Sequence, residues 1–171
     1  MLMISKKEHP MSLNIVLCEP QIPQNTGNIS RTCAVTGTRL HLIKPYGFEL
    51  SERTVRRAGL DYWPKLDLRE YDTPEQFFQQ NPGATIWYFS TKGARNYAQA
   101  RYKPGDYLMF GRETAGLPEE LLERNYANVV RIPMQDWARS LNLSNTVALA
   151  LYEALRQNGF EGLEEQGTLT K

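Results

Sequence analysis

Thiols and imidazoles are scarce in this 171-residue chain. The two cysteines, Cys18 and Cys33, are too few for a disulfide framework and form no CxxC pair. The two histidines, His9 and His41, leave too few soft ligands at usable spacing for a zinc site, so no metal is expected. No apolar run approaches the roughly 18 residues of a membrane span, and residues 1–10 lack the apolar centre of a secretory leader. A cytoplasmic protein without membrane contact is the expectation. Charge of one sign is also missing. Lys and Arg number 20 against 19 Asp and Glu, which excludes a polycation that binds nucleic acid over its whole surface but not a local basic patch. Hydrophobic residues make up 41% of the chain, enough for one core, so whole-chain disorder is excluded too.

What is present alternates. Short apolar runs at Leu13–Cys18, Leu40–Ile43, Leu66–Arg69, Thr85–Phe89, Asp106–Phe110 and Asn128–Ile132 read as strands. Between and after them, Asn25–Thr36, Ser51–Ala58, a segment opened by Thr73-Pro74-Glu75, Glu119–Arg124 and Ser144–Asn158 read as helices. Thr73 is a good N-cap, Pro74 suits the first helical position, and Gly159 is a natural stop after the last helix. This alternation predicts an α/β fold with a mostly parallel sheet flanked by helices. One domain over residues 11–159 is expected, after a disordered extension at 1–10 and before a flexible tail at 160–171.

In such sheets ligands sit beyond the carboxyl ends of the strands, which directs attention to three loops. The first, Ile22-Pro23-Gln24-Asn25-Thr26-Gly27-Asn28-Ile29-Ser30-Arg31, places Asn25 and Thr26 as caps and an uncrowded backbone at a helix N-terminus, a feature that attracts anions. Arg31 lies about 200° around the helix from Ile29, so it faces outward on the side of Gly27 and Asn28 if Ile29 faces the core. The plain reading is a capped helix with one solvated arginine. The second loop, Gly111–Pro118, has two glycines five apart at a strand end, which suits either a turn or a ligand that approaches the backbone closely. It is neither a phosphate-binding Walker loop nor a dinucleotide fingerprint. Its Glu113 lacks a second carboxylate for acid–base work, so a hydrogen-bonding role fits better. The third, Pro133–Leu143, brings Asn142, Ser144 and Asn145 to the start of a helix, as caps or as a ligand loop built on the same amides.

Two further features concern partners. The last helix carries Val147, Ala148, Leu149, Ala150, Leu151, Tyr152, Ala154 and Leu155 around nearly its whole circumference. It needs burial on all sides, through a homodimer or internally. From Arg39 to Arg69 the net charge is +3, and Arg53, Arg56 and Arg57 lie beside Tyr62 and Trp63. Cations beside aromatics suit an RNA surface, with a solvated helix face as the plainer alternative.

Together the three loops resemble the three motifs of the SPOUT class of RNA methyltransferases, in particular its tRNA 2′-O-methyltransferase branch. Ile22–Arg31 resembles the first motif and Leu108–Pro118 the second. Arg131–Met134 with Arg139–Asn145 resembles the third. The segments HLIKPYGF, RRAGLDYW and STKG between them match as well, so the likeness runs from Leu13 to Gly159. The resemblance implies a C-terminal deep trefoil knot and a homodimer. It further implies S-adenosylmethionine (AdoMet) as cofactor and methylation of the ribose of the wobble nucleotide, cytidine or a modified uridine, in the anticodon arm of tRNA. Position by position it assigns the cofactor to Phe89, Gly111, Gly116, Ile132, Met134, Ser140 and Leu141. It assigns catalysis to Asn25, Arg31, Arg139, Asn142 and Ser144. The basic segment with Arg53, Arg56, Arg57 and Trp63 becomes the candidate RNA contact. Another RNA, such as ribosomal RNA, and a non-catalytic RNA-binding relative are the competing readings.

Overall fold

A computed structural model describes residues 12–48 and 60–169. Seven strands form one wholly parallel sheet: β1 (Asn14–Cys18), β2 (Arg39–Ile43), β3 (Leu68–Tyr71), β4 (Ile86–Phe89), β5 (Arg95–Asn96), β6 (Tyr107–Phe110) and β7 (Val129–Arg131). Their spatial order is β3-β2-β1-β6-β4-β7-β5. Register is set in the middle of the sheet, where Val16 lies opposite His41 on one side and Met109 on the other.

The strands are buried on both faces, and side chains alternate between two cores. Ile15, Leu17, Leu40, Leu42, Leu108 and Phe110 point to one face. There they meet Ile29 and Cys33 of α1 (Pro23–Thr36) and Val147, Leu151 and Ala154 of α4 (Leu143–Gln157). Val16, Cys18, Ile43, Tyr88 and Met109 point to the other, against Phe77 of α2 (Pro74–Gln80) and Leu122 of α3 (Glu119–Arg124). α1 and α4 pack side by side, and α1 also lies along a 3₁₀ turn at Leu60–Lys65.

The differences from the sequence reading have local causes. α1 starts at Pro23, two residues early, because Ile22 takes the N-cap position and proline occupies the first helical turn. Asn25 and Thr26 are therefore inside the helix and do not cap it. Gly27 is buried, so of the two expected neighbours on the exposed face of Arg31 the structure keeps Asn28. β3 runs over Leu68–Tyr71 rather than 66–69, since Leu66 is a buried plug before the ladder begins. β5 and the 3₁₀ turns at 60–65, 97–99 and 126–128 have no apolar period to reveal them. α2 is capped as expected, with Thr73 Oγ1 accepting from the Gln76 amide. Gly159 takes the left-handed conformation after α4. The expected helix at 51–58 lies outside the described residues. The expected tail is partly folded, since Phe160 and Leu163 pack against the first core.

A buried polar chain crosses the second face. His41 Nε2 faces Asn14 Oδ1 at 3.1 Å, and its Nδ1 faces the Tyr71 hydroxyl at 2.8 Å. Asn14 turns its amide nitrogen to the Gly105 carbonyl, so its oxygen must accept and His41 carries its proton on Nε2. Tyr71 then donates to Nδ1, and accepts from Asn81 Nδ2 in turn. Burial, reinforced by Arg39, lowers the His41 pKa to about 3 and keeps the ring neutral.

Candidate functional site

β1, β6, β4 and β7 end side by side, and the chain reverses direction of travel around β1, so their carboxyl ends form a topological crevice. A cleft of about 540 Å³ opens there. Phe89 reaches it from the end of β4, Gly111 and Gly116 from the loop after β6, and Ile132 and Met134 from the segment after β7. Ser140 and Leu141 come from the approach to α4. Thus all seven positions assigned to a cofactor line one cavity. Three of the five positions assigned to catalysis, Asn25, Arg139 and Asn142, line it too.

The loop after β6 is a tight hairpin. Arg112 and Gly116 exchange amide-to-carbonyl hydrogen bonds of 3.3 and 2.8 Å, and Gly116 has a φ of +69°. A Cβ on Gly111 would collide with the Gly116 carbonyl group, so glycine is required for the loop to fold back this closely.

Glu113, from this loop, is the hub of the site. Its carboxylate accepts from the Gln21 amide at 2.8 Å, the Ile22 amide at 3.0 Å and Asn25 Nδ2 at 3.2 Å. α1 has no acidic residue in its first turn and no side-chain cap. An anion from some 90 residues along the chain sits at its entrance instead. Asn25 Oδ1 then accepts from Asn142 Nδ2 at 3.0 Å. Asn142 Oδ1 caps α4, accepting from the Ser144 and Asn145 amides at 2.9 and 3.3 Å and from Ser144 Oγ at 2.6 Å. One carboxylate and two amides thereby tie the three candidate loops together. Glu113 needed no acid–base partner to matter; the sequence signalled its hydrogen-bonding role but not its partners. A second tie joins two of these segments, those after β1 and β6, where Arg112 pairs with Glu19.

Arg31 and Ser144 are not among the cleft-lining residues. Ser144 stands one hydrogen bond behind Asn142. Arg31 is exposed on the outer face of α1, with its Cζ 4.9 Å from the centre of the Tyr62 ring. Trp63 is half-buried against the first core, and Arg53, Arg56 and Arg57 lie outside the described residues. Cys18, at the end of β1, has its thiol pushed up to about 11 by burial against the opposing pull of Arg112, which keeps it a protonated, unreactive group. Among the described residues no cluster of His, Cys, Asp or Glu is placed to hold a metal, and no helix is long and apolar enough to cross a membrane.

Comparison with known proteins matches this geometry. Residues 12–152 match the SpoU rRNA methylase family. A tRNA (cytidine(34)-2′-O)-methyltransferase of Saccharophagus degradans is 51% identical over 150 residues, 87% of this chain and 97% of that protein. A solved structure described under the 2-OH methylation of C/U34 on tRNA is 49% identical and superposes with a TM-score of 0.83, covering 88% of this chain and 98% of the other. An AdoMet-bound rRNA methyltransferase of Sinorhizobium meliloti is 30% identical with a TM-score of 0.75, over 86% of this chain and 58% of that one. With three loops meeting in one cleft and a family match over most of its length, the chain belongs to the SpoU methylase family.

Proposed function

We propose that this protein methylates the ribose 2′-hydroxyl of the wobble nucleotide of tRNA, cytidine or a modified uridine at position 34, with AdoMet as methyl donor. The observation that carries the reading is the convergence of Phe89, Gly111, Ile132 and Ser140, from four separate stretches of chain, on one cleft tied to Asn25 and Asn142. The names of the closely similar relatives supply the nucleotide and the position.

The cleft fits the cofactor. Its volume lies within the range of small-molecule pockets. Phe89, Phe110, Ile132 and Leu141 give it apolar walls suited to an adenine ring, and the glycine hairpin lets a ligand approach main-chain groups. When bound, AdoMet supplies a methyl group on a positively charged sulfur, an electrophile for an oxygen nucleophile.

The chain's own task is to bring the 2′-oxygen to about 3–3.5 Å from that methyl and to make it nucleophilic. A guanidinium is a poor proton acceptor, so Arg31 is not the base. It holds the phosphate beside the target ribose and stabilises negative charge developing on the oxygen. The hydroxyl proton leaves to that phosphate or to water. Arg139, at the cleft rim, is a second cation for the backbone. Asn25, Asn142 and Ser144 keep the loops that carry these groups in register.

The same reading includes a homodimer and a knot. Val35 on α1 and Leu149 and Tyr152 on α4 are each close to half exposed, on helices that lie side by side. A second copy would cover this face and bring one subunit's basic segment, Arg53, Arg56, Arg57 and Trp63, toward RNA held at the other's cleft. The packing of α4, which follows β7, against α1 and β6 supports the reading of a C-terminal trefoil knot. Residues 11–159 form the methyltransferase domain, working in the cytoplasm where tRNA is matured.

The test is transfer of labelled methyl from AdoMet to deproteinised RNA, followed by nucleoside mapping. Label at ribose 34 of tRNA is expected, with a loss of about 100-fold in Arg31→Ala. Label on ribosomal RNA alone, or none, would overturn the reading.

A further inference from the structure

We propose that Tyr62 is a positioning residue for Arg31, holding its guanidinium by the ring face so that all its N–H donors stay available to RNA. The inference rests on the reading that Arg31 acts on the substrate's backbone.

Arg31 differs from most arginines of the structure in what holds it. Arg39 is neutralised by Asp67 at 2.7 Å and Arg156 by Glu153 at 2.9 Å, while Arg112 pairs with Glu19 and Arg131 donates to the Thr91 carbonyl. Among the described residues the Arg31 side chain has no ion pair and no hydrogen bond; it lies over the Tyr62 ring, 4.9 Å from Cζ to centroid. The two kinds of partner have different consequences. A carboxylate occupies N–H donors and cancels charge, so an incoming phosphate must displace it. An aromatic face attracts the cation through its quadrupole, restricts the long side chain, and leaves the in-plane N–H edge open.

The local structure fits that task. Arg31 lies on the outer face of α1, in the row of exposed residues Gln24, Asn28, Arg31 and Val35. Free in solvent, such a side chain would sample many rotamers, and the reaction would have to order it. The 3₁₀ turn at Leu60–Lys65 packs along α1 and carries Tyr62 to that row, while its neighbour Trp63 is anchored against the first core. Among the described residues the Tyr62 hydroxyl has no hydrogen-bond partner, so the ring is the working part.

A double-mutant cycle on the full-length protein tests this, using Arg31→Ala, Tyr62→Leu and Tyr62→Phe. Tyr62→Phe should stay within about twofold of the parent. Tyr62→Leu should lower the methylation rate at saturating tRNA and AdoMet by about tenfold, the order of a cation–π contact. It should have no further effect once Arg31 is alanine. An independent readout is the Arg31 side-chain signal in ¹⁵N-labelled protein without RNA or cofactor. Ring-current shielding should displace it in the parent and Tyr62→Phe and vanish in Tyr62→Leu. Full activity in Tyr62→Leu, an undiminished effect in the Arg31→Ala background, or an unshifted Arg31 signal in the parent would each overturn the proposal. Full activity in Arg31→Ala would instead overturn the role given to Arg31 itself.

Discussion

Two polar networks in this molecule are built from nearly the same parts and do opposite things. Beneath α2, an imidazole, two asparagine amides and a tyrosine hydroxyl close on one another, from Asn14 through His41 and Tyr71 to Asn81. At the strand ends, a carboxylate and two asparagine amides link Glu113, Asn25 and Asn142, with a cleft beside them. The first is sealed over Asn14, His41 and Tyr71, with Asn81 at a partly exposed end, and none of the four borders the cleft, so its hydrogen bonds serve stability. The second borders open space, and its members pull three loops separated by up to 117 residues into a shared cavity. Buried polar groups are worth their desolvation cost only when satisfied. The sealed network meets that condition internally, and the rim network meets it while leaving neighbouring donors and main-chain edges for a ligand.

The contrast is sharpest when each hub is removed. Glu113→Ala should lower methyl transfer by about 100-fold, because misplacing the loops by an ångström has that order of effect. Its melting temperature should fall by only a few degrees. Glu113→Gln should be milder, since a carbonyl oxygen in the place of Oε1 still accepts from the Ile22 amide and Asn25 Nδ2, two of the three donors. Initial-rate kinetics beside thermal melts would show whether activity and stability separate in this way. Gly111→Ala should cost about 1–3 kcal/mol from overpacking against the Gly116 carbonyl and weaken AdoMet binding by more than tenfold. Denaturant titration and calorimetry read the two effects separately.

The sealed network should show the reverse. His41→Leu removes a partner from both Asn14 and Tyr71 and should cost about 2–4 kcal/mol. AdoMet affinity should not change wherever the variant is folded. The folded pKa of His41, about 3, lies below its unfolded value near 6.5, so the unfolded chain takes up the extra proton between those limits. The stability this group contributes is complete above about pH 6.5 and is lost as pH falls toward 3, with a slope of up to ~1.4 kcal/mol per unit. Chemical denaturation across that window should show the slope in the parent and a flatter one in His41→Leu. Far from both networks, Thr73→Ala should remove only the α2 cap, at about 1 kcal/mol by the same titration.

How much of this was legible in the sequence follows the range of the interactions. The strands were visible as apolar runs, with LNIVLC and DYLMF within a residue of their ladders, because a strand buried on both faces needs no partner information to be recognised. The loops were visible because strand ends and helix starts demand particular residues. The seven positions assigned to a cofactor came from motif resemblance, and all seven line one cleft. What stayed hidden is pairing across the chain. Glu113 meets Gln21 from 92 residues away, and no local pattern marks that distance. The early start of α1 differs in kind, since Pro23 in the first turn is a local signal beside the expected Asn25 cap. Tyr62 was read with Trp63 as part of a base-stacking surface. The structure adds the partners that no local pattern gives, Arg31 for Tyr62 and the first core for one side of the half-buried Trp63.

The most direct measurement is a calorimetric titration of the purified protein with AdoMet, repeated on Gly111→Ala and His41→Leu. Three loops drawn into one cofactor cleft predict saturable binding at one AdoMet per chain, lost or strongly weakened in Gly111→Ala and unaltered in His41→Leu. No binding to the parent, or equal binding to all three, would contradict the account.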